Sequence, residues 1–213
     1  MTYSVKEIYY TLQGEGAQTG SAAVFCRFSG CNLWSGVEED RHLAKCSFCD
    51  TDFVGTDGID GGKFHSSLEL AGKIESIWEK KTKNRKARLV VFTGGEPGLQ
   101  LDRELIDDLH RLGFRCAVET NGTVSLPPTL DWVCVSPKVL NRLAIDEGDE
   151  LKLVYPQEHL PPENFINLNF DNFYLQPMDN DQYESNLKAV LDYCLSHPEW
   201  KISVQTHKFI GID

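Results

Sequence analysis

Leu89-Val-Val-Phe-Thr-Gly-Gly-Glu-Pro97, followed by Leu101, Leu105, Ile106, Leu109 and Leu112 up to Gly113, and then by Cys116-Ala-Val-Glu-Thr120, is the stretch that decides the fold. An apolar, β-branched run closed by glycines reads as a strand. The three-and-four spacing that follows reads as a helix ended by a glycine, and the second apolar run as a parallel partner reached by a right-handed crossover.

The same alternation extends in both directions. Ala23-Val-Phe-Cys-Arg-Phe28 precedes it; Trp132-Val-Cys-Val-Ser136, Leu151-Lys-Leu-Val-Tyr155, Phe173-Tyr-Leu-Gln176 and Ile202-Ser-Val-Gln-Thr206 follow. Runs of this kind suit strands buried in a parallel sheet. Ser66 or Ser67 can cap a helix with Leu70, Ile74, Ile77 and Trp78 on its apolar face, stopping near Asn84. Leu187, Val190, Leu191 and Cys194 mark another, stopped by Pro198. Beyond the third strand the connections are too short, or too rich in Pro and Asn, for obvious helices, so a complete eight-unit barrel does not fit. The expected fold is α/β, a partial (incomplete) parallel β/α barrel of about six to seven strands with three main helices. With no internal repeat, low-complexity tract or linker, residues 1–213 read as a single domain, Gly55 to Gly62 being a surface loop.

Composition narrows the function. A chain of 213 residues, 41% hydrophobic and 25% charged, is an ordinary globular domain with one sizeable core. No run approaches the roughly 20 apolar residues of a membrane span, and the opening Met1-Thr-Tyr-Ser-Val lacks the order of a signal peptide, so no membrane role and a cytoplasmic location are expected. A net charge of -11 works against a nucleic-acid surface and favours a small-molecule substrate. The basic run from Lys80 to Arg88 reads as the solvated end of a helix.

Seven cysteines, an odd number, argue against a disulfide framework. Cys26, Cys116, Cys134 and Cys194 sit in apolar runs, where free Cys behaves as a small hydrophobe. Cys31, Cys46 and Cys49 differ: they gather just beyond the carboxyl end of a strand, where open α/β sheets collect ligands. Three thiolates there can hold a cubane iron–sulfur cluster with one iron left open, or a zinc ion completed by His42 or His65. On spacing alone zinc ranks first. The order reverses with the other strand ends, Thr93-Gly-Gly-Glu-Pro97, Glu119-Thr-Asn-Gly122, Ser136-Pro-Lys138, Gln176-Pro-Met-Asp179 and Gln205-Thr-His-Lys208, which describe one polar rim around a site.

Thr93-Gly94-Gly95-Glu96-Pro97 resembles the Gly-Gly-Glu motif of the radical S-adenosylmethionine superfamily, which meets the amino group of the cofactor's methionine portion. Tyr10-Thr-Leu-Gln-Gly-Glu-Gly16, Phe25-Cys-Arg-Phe-Ser-Gly-Cys31-Asn-Leu33 and Cys46-Ser-Phe-Cys49-Asp50-Thr51 are similar to one family within it, the 7-carboxy-7-deazaguanine synthases. The resemblance runs to Gln205-Thr-His-Lys208 and covers essentially the whole chain. One departure stands out: superfamily members usually place three residues between the first two cluster cysteines, and this chain places fourteen, Asn32 to Lys45. Some members of the synthase family carry such an expanded loop.

The resemblance implies a carbon–nitrogen lyase that converts 6-carboxy-5,6,7,8-tetrahydropterin to 7-carboxy-7-deazaguanine with loss of ammonia, on the path to queuosine. A 5′-deoxyadenosyl radical would abstract hydrogen from C6, with no catalytic side chain beyond that cofactor-derived radical. It implies a [4Fe-4S] cluster on Cys31, Cys46 and Cys49, S-adenosylmethionine, and Mg²⁺ at Thr51. Leu12, Gln13, Gly14, Arg27, Thr93 and the terminal Asp213 would meet the substrate, Arg27 offering a planar fork to its carboxylate. Phe48, Cys49, Asp50, Gly95, Ser136, Pro137, Lys138, Gln176, Pro177, Met178 and Asp179 would meet the cofactor, and Glu15 and Glu119 could also face the pocket. A reducing electron donor such as a flavodoxin and a homodimer are further implications. The rival readings are a small radical-enzyme activating protein and a non-enzymatic zinc-binding module.

Overall fold

A computed structural model describes residues 2–212 of the chain. In chain order its elements are β1 (Tyr3–Leu12), β2 (Ala22–Phe28), β3 (Gly62–Phe64), α1 (Ser67–Lys81), β4 (Leu89–Gly94), α2 (Arg103–Arg111), β5 (Arg115–Thr120), β6 (Trp132–Val135), β7 (Glu147–Tyr155), β8 (Asn169–Pro177), α3 (Tyr183–Ser196), β9 (Trp200–Ile202) and α4 (Thr206–Ile210). The nine strands form one sheet in the order β3-β1-β2-β4-β5-β6-β7-β8-β9. From β2 to β9 every neighbouring pair is parallel. Six of the seven apolar runs read from the sequence fall on these strands, while the seventh is displaced: β9 is Trp200–Ile202, and the expected Ile202 to Thr206 run shares only Ile202 with it before the chain turns into α4. The sheet does not close, and the incomplete barrel is the observed fold.

Two strands escape the sequence reading. Both β1 and β3 are antiparallel additions at one edge, with β1 between β3 and β2. Polar residues interrupt β1, Tyr3-Ser-Val-Lys-Glu-Ile-Tyr-Tyr-Thr-Leu12, because it lies outside the parallel crossovers and is not shielded uniformly.

Period-two alternation divides every strand between two faces. Val24, Cys26 and Phe28 of β2, Val90 and Phe92 of β4, and Cys116 and Val118 of β5 point outward into a core closed by α1 and α2. There Phe28 stacks on Phe92 at 5.8 Å, and Trp78 takes Tyr10 and Phe114 edge-on. Leu151 and Leu153 of β7 and Leu175 of β8 do the same against α3. On the inner face Ala23, Leu89, Val91 and Ala117 plug the lower end of the barrel, leaving the carboxyl end open.

The helices form as their caps require. Ser66 accepts from Glu69 N at the start of α1, and Asp102 accepts from Leu105 N at the start of α2, so Leu101 lies just outside that helix. Two expectations are corrected. Arg88, placed in a solvated basic run, is buried, its guanidinium bound to Glu75 at 2.7 Å and Glu79 at 2.9 Å and donating to Leu112 O. On α3, Leu191 is exposed while Asn186 and Val190 are buried, because Asn186 is drawn in to donate to Met178 O and to Asn180. Among the described residues no helix is long and apolar enough to cross a membrane.

Candidate active site

The open end of the barrel is a cavity of about 620 Å³. Inner-face residues one alternation above the apolar plug line it: Arg27 above Phe25 on β2, Thr93 above Val91 on β4, Glu119 above Ala117 on β5, and Lys152 and Val154 on β7. The predicted positions Leu12, Gln13, Gly14, Phe48, Asp50, Thr51, Gly95, Ser136, Lys138, Gln176, Pro177 and Asp179 lie on the same cavity, as do Cys31, Cys46 and Cys49. Pro137 and Met178 do not line it: Met178 turns back into the protein, its N–H donating to Tyr155 O at 2.8 Å. Asp213 lies outside the described residues.

Cys46 and Cys49 act on each other's acidity. The Cys46 thiol donates to Cys49, which holds Cys49 down to about 6 against the opposing effect of burial, while that bond and burial push Cys46 up. A thiolate is therefore ready for a metal at neutral pH. Cys31 stands apart, its Sγ accepting from Leu33 N at 3.4 Å. The three sulfurs do not all lie within 4.8 Å of one another, whereas ligands of one tetrahedral zinc would sit about 3.8 Å apart. His42, hydrogen-bonded to Glu39 O at 2.9 Å, and His65 stay off the cavity. Three thiols not gathered round one point, with neither histidine beside them, favour a multi-iron cluster over a single zinc ion. Among the described residues the one tighter group of metal-type ligands is His110, Cys116 and Asp131. There His110 Nε2 and Asp131 Oδ2 are 2.8 Å apart, a hydrogen bond and closer than the roughly 3.3 Å of two zinc ligands.

The Gly-Gly-Glu strand end holds the cysteine loop by its backbone. Gly95 N donates to Phe28 O at 3.3 Å and Glu96 N to Gly30 O at 2.9 Å. The fit requires glycine: a Cβ on Gly95 would lie 1.9 Å from Gly30 O and 3.0 Å from Cys31 Cβ. Glu96, the acidic residue of that motif, is fully buried, Oε1 accepting from Gly98 N and Thr120 Oγ1 and Oε2 from Asn121 N. It ties the end of β4 to that of β5. Gly95→Ala is therefore expected to displace Cys31, cutting the iron retained after anaerobic reconstitution by half or more and raising the S-adenosylmethionine Kd at least about tenfold. Iron analysis and equilibrium dialysis check this.

The floor is an ion-pair hub. Lys152 Nζ reaches Glu15 Oε2 at 2.7 Å and Glu119 Oε2 at 2.9 Å. Gln176 and Gln205 each donate to Glu15 Oε1 at 3.0 Å, and Gln13 donates to Glu119 Oε1 at 3.0 Å. Burial would raise the Glu15 pKa, but the Lys152 charge and these bonds outweigh it and hold Glu15 down to about 2. Lys152 itself is raised well above its ordinary value; burial opposes its charge and the two carboxylates prevail. Sequence reading passed over Lys152. The signal was there: a lysine on the inner-facing phase of Leu151-Lys-Leu-Val-Tyr155 must point into the barrel.

Arg27 enters the cavity already held, Nε donating to Glu7 Oε1 at 2.8 Å and Nη2 to the Tyr9 hydroxyl at 3.0 Å, which leaves Nη1 as the part of the fork without a hydrogen-bond partner among the described residues. Thr51 sits between two carboxylates committed elsewhere: Asp50 to Lys208 at 3.1 Å and Asp52 to Lys6 at 2.9 Å. A Mg²⁺ ion there would take the hydroxyl and few other protein oxygens, as an ion that retains water and binds a substrate carboxylate does. Lys138, bonded to Ser136 Oγ and 5.8 Å from the Phe48 ring, has its pKa lowered by burial.

The C-terminal segment closes the rim. Thr206 N donates to Gly14 O at 2.9 Å, and His207 packs so closely that a Cβ on Gly14 would lie 2.1 Å from its Nδ1. Lys208 bridges Asp50 and Asp179, and His207 and Ile212 face the cavity.

No protein-family model matches the chain. It is 59% identical to the 7-carboxy-7-deazaguanine synthase of Caulobacter vibrioides and 55% identical to that of Bordetella pertussis, in each case over 212 residues and all of both chains. The crystal structure of QueE from Escherichia coli superposes with a TM-score of 0.68 at 29% identity, covering 97% of this chain and 95% of that one. Full-length identity at this level, on a barrel whose open end gathers three cysteines and the Gly-Gly-Glu strand end, establishes that the chain belongs to the 7-carboxy-7-deazaguanine synthase family.

Proposed function

We propose that the cavity converts 6-carboxy-5,6,7,8-tetrahydropterin to 7-carboxy-7-deazaguanine with loss of ammonia, as a radical S-adenosylmethionine lyase. The observation that carries the reading is the meeting of Cys31, Cys46 and Cys49 with Arg27, Gln13 and the Lys152 hub on one cavity. Bound together, the cluster and S-adenosylmethionine supply the radical that begins the reaction at C6. The chain's own residues do the rest by position. Arg27 Nη1 meets the substrate carboxylate, with Thr51 beside it for Mg²⁺. Gln13, the backbone of Leu12 and Gly14, and Thr93 meet the pterin. Phe48 to Asp50, Gly95, Ser136, Lys138, Gln176, Pro177 and Asp179 meet the cofactor.

Anaerobic reconstitution with iron and sulfide tests this. The protein should turn brown and, with reductant and S-adenosylmethionine, form the deazaguanine product, needing Mg²⁺ for full rate. A colourless protein carrying one tight zinc ion would overturn the proposal.

The reading extends to a single cytoplasmic domain over residues 1–213, working as a homodimer and reduced by a donor such as a flavodoxin. Self-association is supported by the apolar Leu191, Leu195 and Ile202, exposed on α3 and the open β9 edge; sedimentation velocity reads it directly. Lys208→Ala separates closure from stability. Its ion pairs are 41% exposed on the lysine side, where such pairs contribute roughly 0–1 kcal/mol, so Tm should hold while the KM for S-adenosylmethionine rises about two- to fivefold.

A further inference from the structure

The loop between the first two cluster cysteines is built around one arginine. Its neck is closed, Lys45 N donating to Leu33 O at 2.9 Å, so the long excursion returns Cys46 to the side of Cys31. Inside it Trp34 is buried, edge-on to Phe53 at 5.6 Å, with its indole N–H donating to Val37 O. Arg41 lies over the Trp34 ring at 4.2 Å. Its Nε donates to both oxygens of Glu38 at 2.7 and 2.9 Å, and its Nη1 to Ser47 O and Cys49 O, each at 2.9 Å. Those carbonyls flank Phe48, in a stretch from Ser47 to Asp50 that has no helix or strand to hold it. The planar fork is what permits the arrangement: one edge clamps the carboxylate, another nitrogen spans two carbonyls, and the flat face stacks on the indole.

We propose that Arg41 is the positioning residue of the expanded loop, fastening the Ser47 and Cys49 carbonyls and thereby setting where Cys46, Cys49 and the Phe48 to Asp50 stretch stand. This rests on the assignment of Cys31, Cys46 and Cys49 to the cluster.

The test compares wild type, R41A and R41K after anaerobic reconstitution, reading three quantities: the rate at which a chelator removes iron, the EPR spectrum of the dithionite-reduced cluster with and without S-adenosylmethionine, and the cofactor Kd by equilibrium dialysis. Wild type should load a cluster whose EPR spectrum changes on cofactor binding. R41A should lose iron at least about tenfold faster and bind the cofactor about tenfold more weakly. R41K keeps the charge without the fork, so it should restore neither the iron retention nor the cofactor affinity. If R41A does not fold by circular dichroism, R41Q, which retains the stem on Trp34, takes its place with the same expectation. Wild-type values in all three measurements for R41A, or for R41Q in its stead, overturn the proposal. A wild type that loads no cluster overturns the underlying functional reading instead.

Discussion

Cys46→Ala is expected to yield a folded, colourless protein with no measurable turnover. Cys46 is only 6% exposed and is one of three thiols on the cavity, so on the proposed cluster assignment its loss removes an iron ligand and leaves Cys49 without the thiol that holds its own pKa down. Two cysteines cannot fix three irons of a cubane and leave the fourth open. Iron after reconstitution should fall from about four atoms per chain to below about one. Cys116→Ala is the matched control. That thiol is fully buried in the outer core and off the cavity, so its removal should cost about 1 kcal/mol in unfolding free energy and leave iron content and turnover intact. Turnover surviving in Cys46→Ala would sink the cluster assignment.

The parallel part of the fold was legible because crossover strands are shielded on both sides. Helices cover their outer face and the Ala23, Leu89, Val91 and Ala117 plug covers the lower part of the inner one, so each strand keeps a short, mostly apolar run. The antiparallel strands carry no such mark. Tyr3 to Leu12 pairs antiparallel between β2 and the three-residue β3, and its mixture of polar and apolar residues could equally have been a loop.

The site was legible for a different reason: strand ends carry recognisable short motifs. Those motifs say which residues gather at the rim, not how they are divided between ligand and scaffold. Glu96 shows the limit. It stands in a motif named for its contact with the cofactor, yet its own oxygens satisfy Gly98 N, Thr120 Oγ1 and Asn121 N. The Asn32 to Lys45 loop shows it again, since the importance of Arg41 depends on carbonyl directions that no spacing encodes. Lys152 was hidden by its surroundings, an apolar run whose inner-facing phase becomes visible only once the barrel is recognised.

Lys152→Met should be the most damaging change on the cavity floor that spares every cluster ligand. Methionine roughly fills the stem but leaves Glu15 and Glu119 facing the cavity without the charge 2.7 and 2.9 Å away that holds them. Removing one partner of a buried pair costs about 3–5 kcal/mol, because the uncompensated charge is worse than none. Some of that cost is relieved by taking up a proton. The wild-type Glu15 pKa lies near 2, below its ordinary 4.5, so the stability it contributes is complete above about pH 4.5 and is lost only as pH falls toward 2. Neutral pH therefore leaves the wild-type hub untouched. Without Lys152 burial prevails, the Glu15 pKa rises, and an acid limb enters the pH profile of kcat/KM where the wild type is flat. At pH 7 the displaced carboxylates should lower kcat/KM by about 100-fold, the scale on which misplacing a substrate-orienting group acts. Stability and position then separate in the double variant Lys152→Met with Glu15→Gln, which removes the unpaired charge. Its Tm should recover further than its turnover, because the neutral amide is tolerated by Gln176 and Gln205 but no longer holds the floor in register with Glu119. A single Lys152→Met variant with wild-type melting and a flat pH profile would show that the hub neither supports the fold nor orders the cavity.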